Sequence, residues 1–162
     1  DLVLGRSVLA EGNVVADRHF EDFVPGMVLE FGPITIDEAD VVAFARRYDP
    51  QPIHIDPGAA AAGPFGGLIA SGWHTASISM RLLVEDGPLF GAGTVGVAAE
   101  VTWPRPTRAG DVLQVHGEII GLTPSKSRAD RGTVTVRTET RNQSGEIVQT
   151  FTGKVIVPRR PA

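Results

Sequence analysis

The feature that most restricts what this chain can fold into is a change of hydrophobic period part-way along it. In the first half, apolar residues recur at helical spacing. Val41, Phe44, Ala45 and Tyr48 stand at i, i+3, i+4 and i+7, and Ile69, Trp73, Ala76, Met80 and Leu83 repeat at steps of four and three. From Val95 the period drops to two, with Val95, Val97, Ala99, Val101 and Trp103 alternating with more polar neighbours. Further strands are expected over residues 112–122, 133–141 and 146–157, with Asn142-Gln143-Ser144-Gly145 as the turn between the last two. Strands joined by tight turns imply an antiparallel sheet, and helices grouped ahead of them imply an α+β fold.

Local signals refine this frame. Residues 27–31 read as a short strand ended by Gly32-Pro33, and Thr35-Ile36-Asp37-Glu38 as a capping box with Thr35 at the cap. Asp49-Pro50-Gln51-Pro52 stops the helix that follows, because each proline pushes its predecessor out of the α region. Asp56-Pro57 opens a second, short helix. A longer helix over about residues 71–84 carries small residues (Gly72, Thr75, Ser77, Ser79) on its other faces and reads as buried. Residues 1–26 are hard to assign and are taken as an N-terminal arm or lead-in, with 27–162 as one domain. A sheet of about five strands with one buried helix leaves a face over, and a second copy is the simplest cover, so a homodimer is expected.

Composition excludes several classes of function. The 162 residues suit one domain with a sizeable core. A net charge of −4 with scattered basic residues offers no stripe for a phosphate backbone, so no nucleic-acid partner is expected. Cysteine is absent, which removes disulfides, thiolate nucleophiles and Cys-type zinc sites. No uncharged apolar run reaches the roughly 18 residues a membrane span needs. Arg6, Glu11 and Asp17 do not make the layout of a signal peptide, and a cytoplasmic location is expected.

Two segments could carry chemistry. In Tyr48-Asp49-Pro50-Gln51-Pro52-Ile53-His54-Ile55-Asp56-Pro57, two prolines fix the path between a carboxylate and an imidazole. His54 could exchange protons with Asp49 as its complementary partner. Equally, Asp49 could cap a turn while His54 is a satisfied, half-buried side chain, and by chemistry alone this plainer reading leads. The second segment is Phe65-Gly66-Gly67-Leu68-Ile69-Ala70-Ser71-Gly72-Trp73-His74. Gly72 falls where the longer helix begins, so its N–H could hold a thioester carbonyl as it becomes an enolate, or the glycine could serve packing alone. His54 and Asp56 lack a third ligand, so no metal is expected. Ser71 and Ser77 lack a nucleophile-elbow sequence, which argues against serine acyl transfer. Lys126, Arg128 and Arg131 make a small basic loop, read first as solvated surface.

These segments resemble the MaoC-like dehydratases, the (R)-specific enoyl-CoA hydratase group, which have the hot-dog fold. The family pattern Asp-x-Asn-Pro-x-His-x-Asp stands here as Asp49-Pro50-Gln51-Pro52-Ile53-His54-Ile55-Asp56, followed by Phe65-Gly66-Gly67-Leu68-Ile69-Ala70-Ser71-Gly72. The connection from Trp103 to Asp111 and the final hairpin at 142–146 also look like the family, so the resemblance runs from roughly residue 20 to the end. It reverses the plainer reading of Asp49 and His54. It implies a curved antiparallel sheet wrapped around a long central helix, with two copies side by side and acyl-thioester sites near their interface. It also implies that Asp49 and His54 hold a water and move its proton, while the Gly72 N–H holds the oxyanion. Gln51, Phe65, Gly67, Ser71, Trp73 and His74 are the expected substrate-binding residues. The implied reaction is reversible hydration of an enoyl thioester, or dehydration of a 3-hydroxyacyl thioester, with no cofactor consumed. Coenzyme A or a carrier protein belongs to the substrate. The alternatives are a non-catalytic acyl-thioester-binding subunit and an acyl-CoA thioesterase. The chain departs from the pattern at Gln51, where Asn is usual, and at Tyr48, where Gly often stands.

Overall fold

A computed structural model describes residues 3–4, 18–87, 89 and 93–161, so most of the expected N-terminal arm lies outside the described residues. The part of the lead-in that is described does not stand apart from the domain. A single 3-10 turn at Phe20–Asp22 brings Phe20 and Phe23, 7% and 2% exposed, into the main core. The Phe20 ring lies so close over Gly132 that a Cβ there would meet it at 2.4 Å. Two of the core's aromatic rings thus precede residue 27.

Among the described residues, six strands form one sheet in the order β1 (Val3–Leu4), β2 (Val28–Thr35), β4 (Val112–Pro124), β5 (Arg131–Arg141), β6 (Ile147–Pro158) and β3 (Val95–Thr102). Every pairing is antiparallel except that of β1 with β2. Between β2 and β3 the described residues form the helices α1 (Glu38–Tyr48), α2 (Pro52–Ile55), α3 (Pro57–Ala62) and α4 (Gly72–Glu85). The α+β reading and the strands expected beyond residue 95 hold.

Three local expectations change. The first strand does not end at Gly32-Pro33 but runs on to Thr35, with a shift of register between Phe31 and Ile34. Thr35 therefore stays in the sheet opposite Val112, and the cap of α1 is Asp37, whose side chain accepts the Asp40 N–H at 3.2 Å. Asp37 is the polar residue placed three before an available N–H, which is what capping requires. The prolines after α1 also admit an extra turn, α2, with Pro52 at its first position, where a missing N–H costs nothing.

The inner face of the sheet supplies Leu29, Phe31, Val115, Ile119, Val134, Val136, Val155 and Val157, and α4 lays Leu82 and Leu83 against them. A smaller cluster of Ile36, Val41, Ala70, Leu113 and Val148 lies beside it. The face that α4 buries is rotated from the expected stripe: His74, Thr75, Ser79, Leu82 and Leu83 are inside, while Trp73 is 60% exposed. Hydroxyls can face the sheet because they find partners there. The Ser79 Oγ donates to the Thr75 carbonyl at 2.9 Å or shares a hydrogen with Thr140 Oγ1 at 2.8 Å. So α4 is covered on one side within this chain rather than all round.

At the opposite end of the sheet, among the described residues β3 is bonded only to β6, and residues 95–100 are exposed on both faces, Val95 and Val97 by 56% and 53%. Among the described residues, no helix is long and apolar enough to cross a membrane.

Candidate active site

The site begins where α1 stops. Asp49 is the C-cap of α1, its N–H bonded to the Ala45 carbonyl at 2.8 Å, with extended φ imposed by the following Pro50. Gln51 then caps α2, and the single turn that follows carries His54 inward to 5% exposure. The loop ahead of α4 crosses this turn. Its Ile69 N–H donates to the Ile53 carbonyl at 3.2 Å, and the Ile69 carbonyl meets His54 Nδ1 at 2.7 Å.

That last contact fixes the tautomer. A carbonyl can only accept, so Nδ1 carries the hydrogen and donates it, and in the uncharged ring Nε2 is left with a lone pair. Nε2 faces Asp49 Oδ2 at 3.4 Å. Asp49 in turn accepts two hydrogen bonds of 2.7 Å, from Gln51 Nε2 to Oδ1 and from Ser71 Oγ to Oδ2. These donors, Gln51 foremost, hold its carboxyl below the usual carboxylate range; partial burial opposes them and a charged His54 would add to them. An acceptor nitrogen and an anionic oxygen at this separation repel unless a donor lies between them. A molecule with two O–H bonds, such as water, satisfies both and is left with its oxygen lone pairs pointing outward. Such a pair can therefore draw a proton from water and later return it.

The amino end of α4 lies beside the pair. Ser71 is its N-cap, and Gly72 is its first residue, with an N–H the helix cannot satisfy internally. The room left by the absent side chain of Gly72 is not free for a substrate carbonyl, because the Trp103 ring fills it. A Cβ on Gly72 would lie 2.6 Å from two of the indole atoms. Trp103 is anchored by its Nε1–H to Gln149 Oε1 at 2.9 Å and meets the Trp73 ring edge-on at 5.1 Å between centroids.

The other expected residues separate into groups. Gln51 and Ser71 touch Asp49. Phe65, 42% exposed, and Gly67 lie in a loop braced by Arg108, whose guanidinium donates to the carbonyls of Phe65 at 2.6 Å and Leu68 at 3.4 Å. His74 points into the seam between α4 and α1, where its ring stacks on Phe44 at 4.8 Å. Burial pushes its pKa below the ordinary histidine value, with Asp40 opposing. Sequence reasoning did not single out Trp103 or Arg108 as parts of the site. Neither stands in a chemical motif, and each reaches it from more than 30 residues away.

A groove of about 270 Å³ lies elsewhere, among residues that include Gln114, His116, Arg141 and Gln143. Several of its polar side chains are engaged, His116 with Glu30 at 3.2 Å, Arg141 Nη2 with Glu139 at 2.6 Å and Gln143 with Asp111 at 3.1 Å, while the buried Arg141 Nε–H finds no partner. Among the described residues no three His, Asp or Glu side chains gather as a metal site.

Comparison with known proteins agrees with this architecture. The family model described as "MaoC like domain" matches residues 22–143. A 3-hydroxybutyryl-CoA dehydratase of Methylorubrum extorquens is 36% identical over 112 residues, 68% of this chain and 69% of its own. The uncharacterized protein YdeM of Bacillus subtilis is 30% identical over 139 residues, 85% of this chain and 95% of its own. The crystal structure of a MaoC-like dehydratase from Rhodospirillum rubrum superposes with a TM-score of 0.85 at 48% identity, covering 90% of this chain and 99% of that one.

Proposed function

This chain belongs to the MaoC-like domain family and has its hot-dog fold, and from that premise we propose that it adds water reversibly to a trans-2-enoyl thioester, probe substrate crotonyl-CoA. The observation that carries the reading is the pairing of His54 Nε2 with Asp49 Oδ2 at 3.4 Å, with Nδ1 committed to the Ile69 carbonyl. Water held by both acceptors attacks C3 of the enoyl group, and its proton passes to His54 Nε2. The electron pair of the double bond moves through C2 onto the thioester oxygen. The resulting enolate is held by the Gly72 N–H at the amino end of α4. The proton on His54 is then delivered to C2, which closes the cycle with one water added and no group expelled. Dehydration runs the same steps backward. Coenzyme A or a carrier protein arrives as part of the substrate, and no cofactor is consumed.

The relatives named as dehydratases support this chemistry, and the retained Asp49 and His54 weigh against a module that only binds. A panel of enoyl thioesters on purified protein tests it. Loss of the enoyl absorbance without release of free thiol is expected. Thiol release from acyl-CoA would favour a thioesterase, and binding without turnover a non-catalytic subunit.

A further inference from the structure

Ser71 is 0% exposed, and both sides of its hydroxyl are in use. Its oxygen accepts the Trp73 N–H at 3.2 Å, closing the start of α4, and its hydrogen is left for Asp49 Oδ2 at 2.7 Å. The direction of that second bond is forced. An ionised carboxylate can only accept, and the Trp73 N–H takes one lone pair of the oxygen, so the single hydroxyl hydrogen goes to Asp49. A hydrogen bond given to a carboxylate favours its charged form. The Ser71 carbonyl meanwhile accepts the His74 and Thr75 N–H groups at 3.0 and 3.1 Å, which ties the residue into the first turn of α4.

The two halves of the site come from different elements, Asp49 from the end of α1 and Gly72 from the beginning of α4. Ser71 immediately precedes Gly72 and is bonded to the Asp49 oxygen that faces His54 Nε2. A side chain with no exposed surface offers nothing for a substrate to touch, so the expectation that Ser71 binds substrate does not describe its place. We infer that Ser71 is a positioning residue: its hydroxyl holds Asp49 Oδ2 charged and at a set place relative to both His54 Nε2 and the first N–H of α4. The catalytic meaning of this rests on the hydratase reading; the effect on Asp49 does not.

The test compares Ser71→Ala and Ser71→Gly with Ser71→Thr, which restores a hydroxyl. Glycine is well tolerated as a helix cap, so Ser71→Gly keeps the experiment usable should Ser71→Ala not fold. The Asp49 carboxyl carbon is followed by NMR as pH is lowered, and hydration of crotonyl-CoA is measured across pH in parallel. Loss of one charge-assisted hydrogen bond should raise the Asp49 midpoint by about one pH unit and carry the acid limb of kcat/KM with it. At the optimum, kcat should fall about tenfold with KM changed less than about threefold, and Ser71→Thr should restore both. If the variants lower only the melting temperature and leave the Asp49 midpoint in place, Ser71 is a helix cap and the inference is overturned. If the midpoint moves as stated while the wild-type protein hydrates no enoyl thioester, the hydratase reading fails and the inference stands.

Discussion

Asp49 carries two donors at 2.7 Å on its two oxygens, and their effect reaches beyond the reaction. Its folded pKa lies below the ordinary value, so the folded state binds this proton less readily than the unfolded chain does. The resulting stability is fully present above the unfolded carboxylate pKa of about 4, and it is lost as pH falls from there through the folded value. Asp49→Asn should therefore flatten the decline of the urea midpoint below about pH 4 relative to the wild type. An unchanged slope would mean that the two donors do not act on this carboxyl in solution. The five-residue spacing and the two prolines left the plainer reading of Asp49 and His54 ahead, and only the resemblance of the whole motif singled them out as a pair. Ser71 was legible only as a member of a glycine-rich stretch. Its bond to Asp49 joins residues 22 apart, and nothing local in either segment announces it.

Elements were read well where one period dominated and poorly where two signals competed. The strands β3 to β6 lie where the alternation placed them, and β4 and β5 bury alternate residues as expected. The helix α4 was found and its small residues read as buried, which holds for Thr75 and Ser79 but not for Ser77, and burial all round does not hold. Thr75 and Ser79 are small enough to bring the helix close and able to bond back to carbonyls or across to Thr140. Trp73, the largest member of the expected stripe, is outside. The start of α4 makes a sharper claim. Gly72 is required by packing, since the anchored Trp103 ring occupies the place of a side chain. Gly72→Ala should cost about 1–3 kcal/mol by overpacking, read as a lower denaturation midpoint with unchanged slope. A neutral result would show that Trp103 swings aside freely.

At the scale of the molecule, the open edge is what the single chain leaves unresolved. An exposed strand with Val95 and Val97 uncovered is a template for pairing, and soluble proteins rarely leave one bare. The expected second copy is predicted to pair along that edge. Light scattering should give twice the 17.2 kDa of one chain, and Val97→Lys should shift the protein toward monomer. A monomeric wild type would refute the pairing. The alternating pattern of β3 could be read from the sequence as a strand. Its exposure could not, because alternation gives the period of a strand and not its position in the sheet.

The account stands on a water activated jointly by Asp49 and His54, and the most direct measurement is the rate of crotonyl-CoA hydration by the wild type, Asp49→Asn and His54→Ala. A measurable wild-type rate is predicted, with each substitution lowering kcat by about 10²–10⁴ while the circular dichroism spectrum and oligomeric state stay unchanged. Rates in both variants equal to that of the wild type would contradict it.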